Sequence, residues 1–297
     1  MKSLGVRAGA WAVIGLLFTL GPAHAAEDQF FDADGVRIRY VVEGEGEPVL
    51  LIHGFCGSLH LQWGGPGILK SLAKDYRVIA YDNRGHGRSG KPHDPRKYGD
   101  EMVEDAVRVL DHLGISKAHI VGYSMGAFIA DKLLAEHPER FLTATLAGGG
   151  WAKADDERAG FINEVAQSLD EGKGIGPLLV KLTPEGRPKP TEARLRRANQ
   201  VVSLFNDQKA LAGVVRGMKE FAVTEQQLRA NHVPTLAIIG ELDPLKVTVD
   251  ELVEVMPRLQ VSVIKGADHI GTFVRPEFTQ ALRAFLAEHS PQAAATE

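Results

Sequence analysis

The run Gly122-Tyr123-Ser124-Met125-Gly126 constrains this chain more than any other feature. It leaves an apolar extended run, His119-Ile120-Val121, and enters a helical pattern from Ala127. A serine between a strand and a helix sits on a sharp, strained turn. Side chains two residues to either side would collide there, which accounts for the two glycines. The turn lifts the hydroxyl clear of the sheet and sets it at a helix N-terminus, where exposed N–H groups favour negative charge.

The surrounding pattern supplies such a sheet. Short β-branched runs at 36–42, 49–52, 77–81, 118–123, 142–147, 235–239 and 260–264 read as strands. Helical stripes at 101–113, 125–136 and 276–288 alternate with them, the first carried by Met102, Ala106, Val109, Leu110 and Leu113 and ended by Gly114. This alternation predicts an α/β fold: a mostly parallel central sheet flanked by helices, with its active edge at the carboxyl ends of the strands. Between 151 and 225 the strand signal disappears. Segments 155–169, 191–205 and 207–221 read as short amphipathic helices, punctuated by Gly172, Gly174, Gly176, Pro177, Pro184, Pro188 and Pro190. The expected layout is a core at 27–150 and 226–290, an inserted helical cap at 151–225, and a flexible tail at 291–297. Ordinary crossover helices are the alternative for the middle segment.

A serine hydroxyl becomes a nucleophile when a base takes its proton, and the base needs an acid to orient it. His269, in Gly266-Ala267-Asp268-His269, follows the last strand. Asp243, in Gly240-Glu241-Leu242-Asp243-Pro244, follows the strand before it. Both stand at the active edge, in the chain order serine, acid, histidine. Glu241 and Asp268 are rival acids without that context. His53 and His86 lie in glycine-rich turns and read as structural, and His112, His119 and His137 as surface or core. The oxyanion formed on attack needs N–H donors. Met125 supplies one amide, and Phe55, in His53-Gly54-Phe55-Cys56-Gly57, supplies the other. Cys56 reads as a packing residue rather than a reactive thiol.

Trp63 and Trp151 follow strand ends, so each either faces the substrate pocket or packs beneath a loop. Phe161, Val165, Leu178, Leu179, Phe205, Met218 and Phe221 either line the underside of the cap or pack within it. Spacing assigns no cationic site for a carboxylate or phosphate.

The amino terminus has a three-part pattern. Lys2 and Arg7 are basic, 8–20 is uncharged and mostly apolar, and Ala23-His24-Ala25 follows Gly21-Pro22. This predicts a signal peptide at 1–25 and a secreted or periplasmic product, without membrane attachment after cleavage. A retained anchor is the alternative. Cleavage takes the formal charge from −4 to −6 by removing Lys2 and Arg7. No basic cluster stands out, which argues against nucleic acid as a partner. With 44% hydrophobic residues the chain can build a large core without a metal or disulfide, and its one cysteine, Cys56, excludes an intramolecular bridge.

Five pieces in order now resemble the α/β-hydrolase superfamily: His53-Gly54-Phe55, the run from Asp82 to Ser89, Gly122 to Gly126, Gly240 to Asp243, and Ala267-Asp268-His269. The resemblance implies a hydrolase without cofactor or metal and with a Ser124-Asp243-His269 triad, most similar to small capped serine esterases acting on carboxylic esters, thioesters or lactones. Haloalkane dehalogenases and epoxide hydrolases carry aspartate where this chain has Ser124. Cofactor-free haloperoxidases and perhydrolases often have proline where it has Cys56. Together with the amino-terminal pattern and the apolar cap residues, the resemblance points to an exported acyl-enzyme hydrolase for a small to medium, largely apolar ester or lactone. Carbon–carbon bond hydrolases share the same residues, and non-turnover receptors keep the triad too, so both remain as alternatives.

Overall fold

The computed structural model describes residues 27–153 and 158–290. The expected signal peptide at 1–25 and tail at 291–297 lie outside them. The chain opens with a hairpin, β1 (Gln29–Ala33) and β2 (Val36–Glu43). Asp34 and Gly35 turn it with φ of 54° and 78°, the left-handed pair a two-residue turn requires. There follow β3 (Glu47–Ile52), α1 (Ile68–Leu72), β4 (Tyr76–Tyr81), α2 (Asp100–His112), β5 (Ala118–Tyr123), α3 (Met125–Glu136) and β6 (Phe141–Ala147). A helical segment comes next: α4 (Arg158–Asp170), α5 (Gly176–Lys181), α6 (Glu192–Phe205), α7 (Gln208–Gly217), a 3-10 turn at Met218–Phe221, and α8 (Glu225–Arg229). The chain then returns to the sheet through β7 (Thr235–Gly240), α9 (Lys246–Val255), β8 (Gln260–Ile264) and α10 (Pro276–Glu288).

The eight strands lie in the order β1-β2-β4-β3-β5-β6-β7-β8. Only the two pairings of β2 are antiparallel; from β4 to β8 the sheet is parallel. After β3 the chain runs outward to β4, then returns across β3 to β5. The strand order reverses there, and a crevice opens at the carboxyl ends of β3 and β5. Ile52 is paired with Gly122, so the loop after β3 and the turn after β5 leave the sheet side by side.

Period-two alternation builds a core on each face. Leu50, Ile52, Ile79, Tyr81, Ile120 and Leu146 join the cluster under α2 and α3. Their neighbours Val49, Leu51, Val78, Ala80 and Val121 join the one under α1 and α10, with Phe278, Leu282 and Phe285. The helical segment has its own small core of Val165, Ala166, Leu169, Ile175, Leu211, Ala212 and Val215, against which Phe55 and Cys56 also pack.

The run from Asp82 to Ser89 is an internal brace. The buried Asp82 carboxylate accepts from the amides of Leu59 and Arg88, each at 2.8 Å, and pairs with Arg39 at 3.0 Å. Arg84, fully buried, makes a two-pronged bond to Asp105 at 2.7 and 2.6 Å.

Candidate active site

Ser124 links β5 to α3 with φ 54° and ψ −117°. A non-glycine residue adopts that region only when its surroundings hold it there. The Ser124 amide donates to the carbonyl of Ala147 at 2.7 Å, anchoring the turn to β6. The glycines are steric necessities. A Cβ on Gly122 would lie 1.9 Å from the carbonyl oxygen of Gly126, and one on Gly126 would lie 2.2 Å from that of Ile52. Gly126→Ala is therefore expected to cost about 1–3 kcal/mol of stability by overpacking and to displace Ser124. Denaturation and turnover measured together check this, and normal values in both would show that α3 can shift without consequence.

His269 and Asp243 come from the loops after β8 and β7, and both are buried. His269 Nδ1 lies 2.8 Å from Asp243 Oδ2, and its Nε2 lies 3.1 Å from Ser124 Oγ. A carboxylate accepts only, so Nδ1 carries the proton and Nε2 presents its lone pair to the serine hydroxyl. Asp243 Oδ1 accepts the Leu245 amide at 2.9 Å, and the Tyr123 hydroxyl donates to the carbonyl of His269. Tyr123 is thus a positioning group that the motif alone does not mark, since it fills the variable second place of the Gly122–Gly126 run. Among the rivals, Glu241 accepts the Gly266 amide at 2.8 Å and Asp268 the Gly271 amide at 2.7 Å; both are occupied with loop structure.

The loop after β3 presses on the serine: a Cβ on Gly54 would lie 3.2 Å from that of Ser124. The Phe55 and Met125 amides have no acceptor among the described residues, so both donors are available beside the hydroxyl. Cys56 adopts φ 58°, and burial pushes its thiol well up, leaving it uncharged. His53 donates from Nδ1 to the Gly54 carbonyl at 2.8 Å and accepts the Asn83 amide on Nε2 at 3.0 Å. Burial lowers its pKa, and lowers that of His86 to about 3. Both are neutral props for the loops.

A cavity of about 430 Å³ opens over these groups. Ser124, His269, Phe55 and Met125 form its floor, and Phe161, Val165, Leu178, Leu179, Met218 and Phe221 its apolar walls. Phe205 is not among them and is 60% exposed. Neither tryptophan lines the cavity. Trp63 is fully buried among Leu51, Leu69 and Leu72 on the α1 face of the sheet. Trp151 packs in the core on the α3 face, with Nε1 donating to the Val223 carbonyl at 2.7 Å. In both cases the ring is buried in an apolar core cluster. Three lysines do reach the cavity: Lys153, Lys181 and Lys219. They stand on three separate segments, the stretch after β6, the end of α5 and the turn after α7, so no sequence spacing marks them. A broader depression of about 790 Å³ among α4, α5 and α6 contains none of the candidate catalytic residues.

Among the described residues, Glu104, Glu136 and His137 bring potential metal ligands within 4.8 Å of one another. His137 already bonds Glu104, Lys132 pairs with Glu136, and none of them lines the cavity. No helix among the described residues is long and apolar enough to cross a membrane.

The chain is 41% identical over 162 residues to the dihydrolipoyllysine-residue acetyltransferase component of the acetoin cleaving system of Cupriavidus necator, with 52% of this chain and 41% of that protein covered. It thus spans about two fifths of that relative's length. It is 30% identical to the 2-hydroxymuconate semialdehyde hydrolase of Pseudomonas putida, with 86% of this chain and 92% of that one covered. The solved structure of Est816, described as an N-acyl homoserine lactone degrading enzyme, superposes with a TM-score of 0.67 at 27% identity, covering 86% of this chain and all of that one (100%). Residues 47–276 match the family model described as the alpha/beta hydrolase fold. That span takes in every strand from β3 to β8 together with Ser124, Asp243 and His269, and this chain belongs to the alpha/beta hydrolase fold family.

Proposed function

We propose that this protein is an exported serine carboxylic ester hydrolase, cleaving esters, thioesters or lactones through an acyl-enzyme on Ser124. The observation that carries the reading is the continuous hydrogen-bonded path from Asp243 through His269 to Ser124, at 2.8 and 3.1 Å. His269 Nε2 takes the hydroxyl proton as Oγ attacks the carbonyl carbon. The Phe55 and Met125 amides hold the oxyanion. The alcohol leaves with the proton from His269, and water repeats the sequence on the acyl-enzyme. Asp243 keeps the proton on Nδ1 and stabilises the imidazolium.

Residues 151–225 act as a cap in this reading. Their apolar side chains over the floor favour a small to medium, largely apolar substrate that excludes water on binding. The basic, apolar and small-residue pattern of 1–25 supports export. The likeness to a lactone-degrading enzyme supports cyclic esters. The identity to 2-hydroxymuconate semialdehyde hydrolase favours a second reading, carbon–carbon bond hydrolysis by the same residues.

The test supplies protein from Ala26 onward with a graded series of nitrophenyl esters and lactones. Many turnovers per enzyme are expected, with a trapped acyl group found by mass on the Ser124 peptide. A single stoichiometric event, or acyl transfer to another residue, would overturn the ester hydrolase. Turnover confined to carbon–carbon substrates would select the second reading.

A further inference from the structure

The residues lining the cavity over Ser124 include three cations, Lys153, Lys181 and Lys219, and no aspartate or glutamate. The chain as a whole has the opposite balance, with 38 acidic residues against 34 basic ones. The three lysines differ in what they already hold. Lys153 is paired with Glu251 at 3.2 Å and lies over the Trp151 ring at 4.7 Å. Lys181, the last residue of α5, and Lys219, in the turn after α7, have no carboxylate partner among the described residues. Lys181 instead rests its ammonium 6.0 Å from the Phe161 ring, itself a cavity wall.

The α5 macrodipole accounts for a cation at position 181, but not for a second at 219 on another element facing the same space. Both lysines are exposed at the cavity's edge, where like charges draw in ligands of opposite sign by a salt-screened attraction. A largely apolar cavity edged by two exposed lysines that have no carboxylate partner among the described residues matches an amphipathic anion: an apolar chain to fill the walls and a carboxylate to meet the lysines.

Resting on the ester hydrolase reading, we propose that Lys181 and Lys219 select esters or lactones that carry a carboxylate on an apolar chain, remote from the bond that is cut. The chemistry at Ser124 is unchanged: water adds across the ester, and the carboxylate takes no part beyond anchoring.

Two matched pairs of substrates test this. Mono-nitrophenyl adipate against nitrophenyl hexanoate puts the charge on the acyl side, and the acetate ester of 6-hydroxyhexanoate against hexyl acetate puts it on the alcohol side. In at least one pair, kcat/KM at low salt is expected to favour the anion about tenfold, and to do so less at high salt. The ratio falls to about one in Lys181→Met/Lys219→Met and below one in Lys181→Glu/Lys219→Glu. Equal rates or a neutral preference in both wild-type pairs, or a preference that survives the methionine variant, would overturn the assignment. If neither neutral ester nor anion is turned over, the hydrolase reading fails separately. Calorimetry with adipic acid monoamide and hexanamide then decides the anion site: tighter binding of the acid, lost in the methionine variant, supports it, and equal binding rejects it.

Discussion

Ser124→Ala is expected to fold like the native chain and to lose about four to six powers of ten in kcat. The size follows from how such sites behave when dissected: removing the nucleophile alone removes nearly everything the three residues contribute together, roughly 5–8 kcal/mol. Folding is spared because the Ser124 hydroxyl bonds only His269. The strained backbone is held by the Ala147 carbonyl and by the packing of Gly122 and Gly126, which alanine leaves in place. Phe55 and Met125 contribute amides, so a residual rate above that of water should persist from the oxyanion donors and binding alone. Steady-state rates beside a denaturation curve make the check. A folded variant within tenfold of the native rate would remove Ser124 from the mechanism and leave the cavity without a nucleophile.

The parts of this site that were legible in the sequence are those where backbone geometry demands a particular residue type. Gly122 and Gly126 are forced by contacts of about 2 Å. The order of Ser124, Asp243 and His269 follows from which strand ends face the crevice. The helices at 192–205 and 208–217 were visible through their periodicity, and Thr191 and Asp207 accept the amides that begin them. The first strand, Gln29–Ala33, has no clear signature beyond the hairpin signal of its Asp34-Gly35 turn; five residues with mixed burial carry little alternation of their own. Side-chain direction was the harder quantity. Trp63 stands in a single wide helical turn, His60–Gly64, and Trp151 in the segment after β6; both rings turn inward to apolar neighbours, and segments this short carry no periodicity to say so. Lys153, Lys181 and Lys219 converge only because the helices between β6 and β7 fold back over β3 and β5, a tertiary relation with no local trace.

The other large effect expected concerns Asp131, two turns beyond Ser124 on α3. It is fully buried, and neither carboxyl oxygen has a hydrogen-bond partner among the described residues. Burial alone raises its pKa from 3.8 to about 8, since a charge there would have no compensating group. A folded pKa above the unfolded one means that folding takes up a proton. The stability this protects is complete below about pH 4 and is lost as pH climbs toward 8. Asp131→Asn keeps the shape and removes the titration. Its stability relative to the native chain is expected to rise by about 1.4 kcal/mol per pH unit across that window, to roughly 6 kcal/mol, and then level off. Denaturation curves for both proteins at several pH values read the difference directly; a flat difference would mean that water or another group solvates an ionised Asp131. Activity carries a second signature. Seven residues of helix put Asp131 about 10 Å along the axis from Ser124. A charge at that depth would oppose the negative charge that forms at the α3 N-terminus. The native kcat is therefore expected to fall above about pH 8 and the asparagine variant's to hold, which ties the buried acid to the oxyanion through the helix they share.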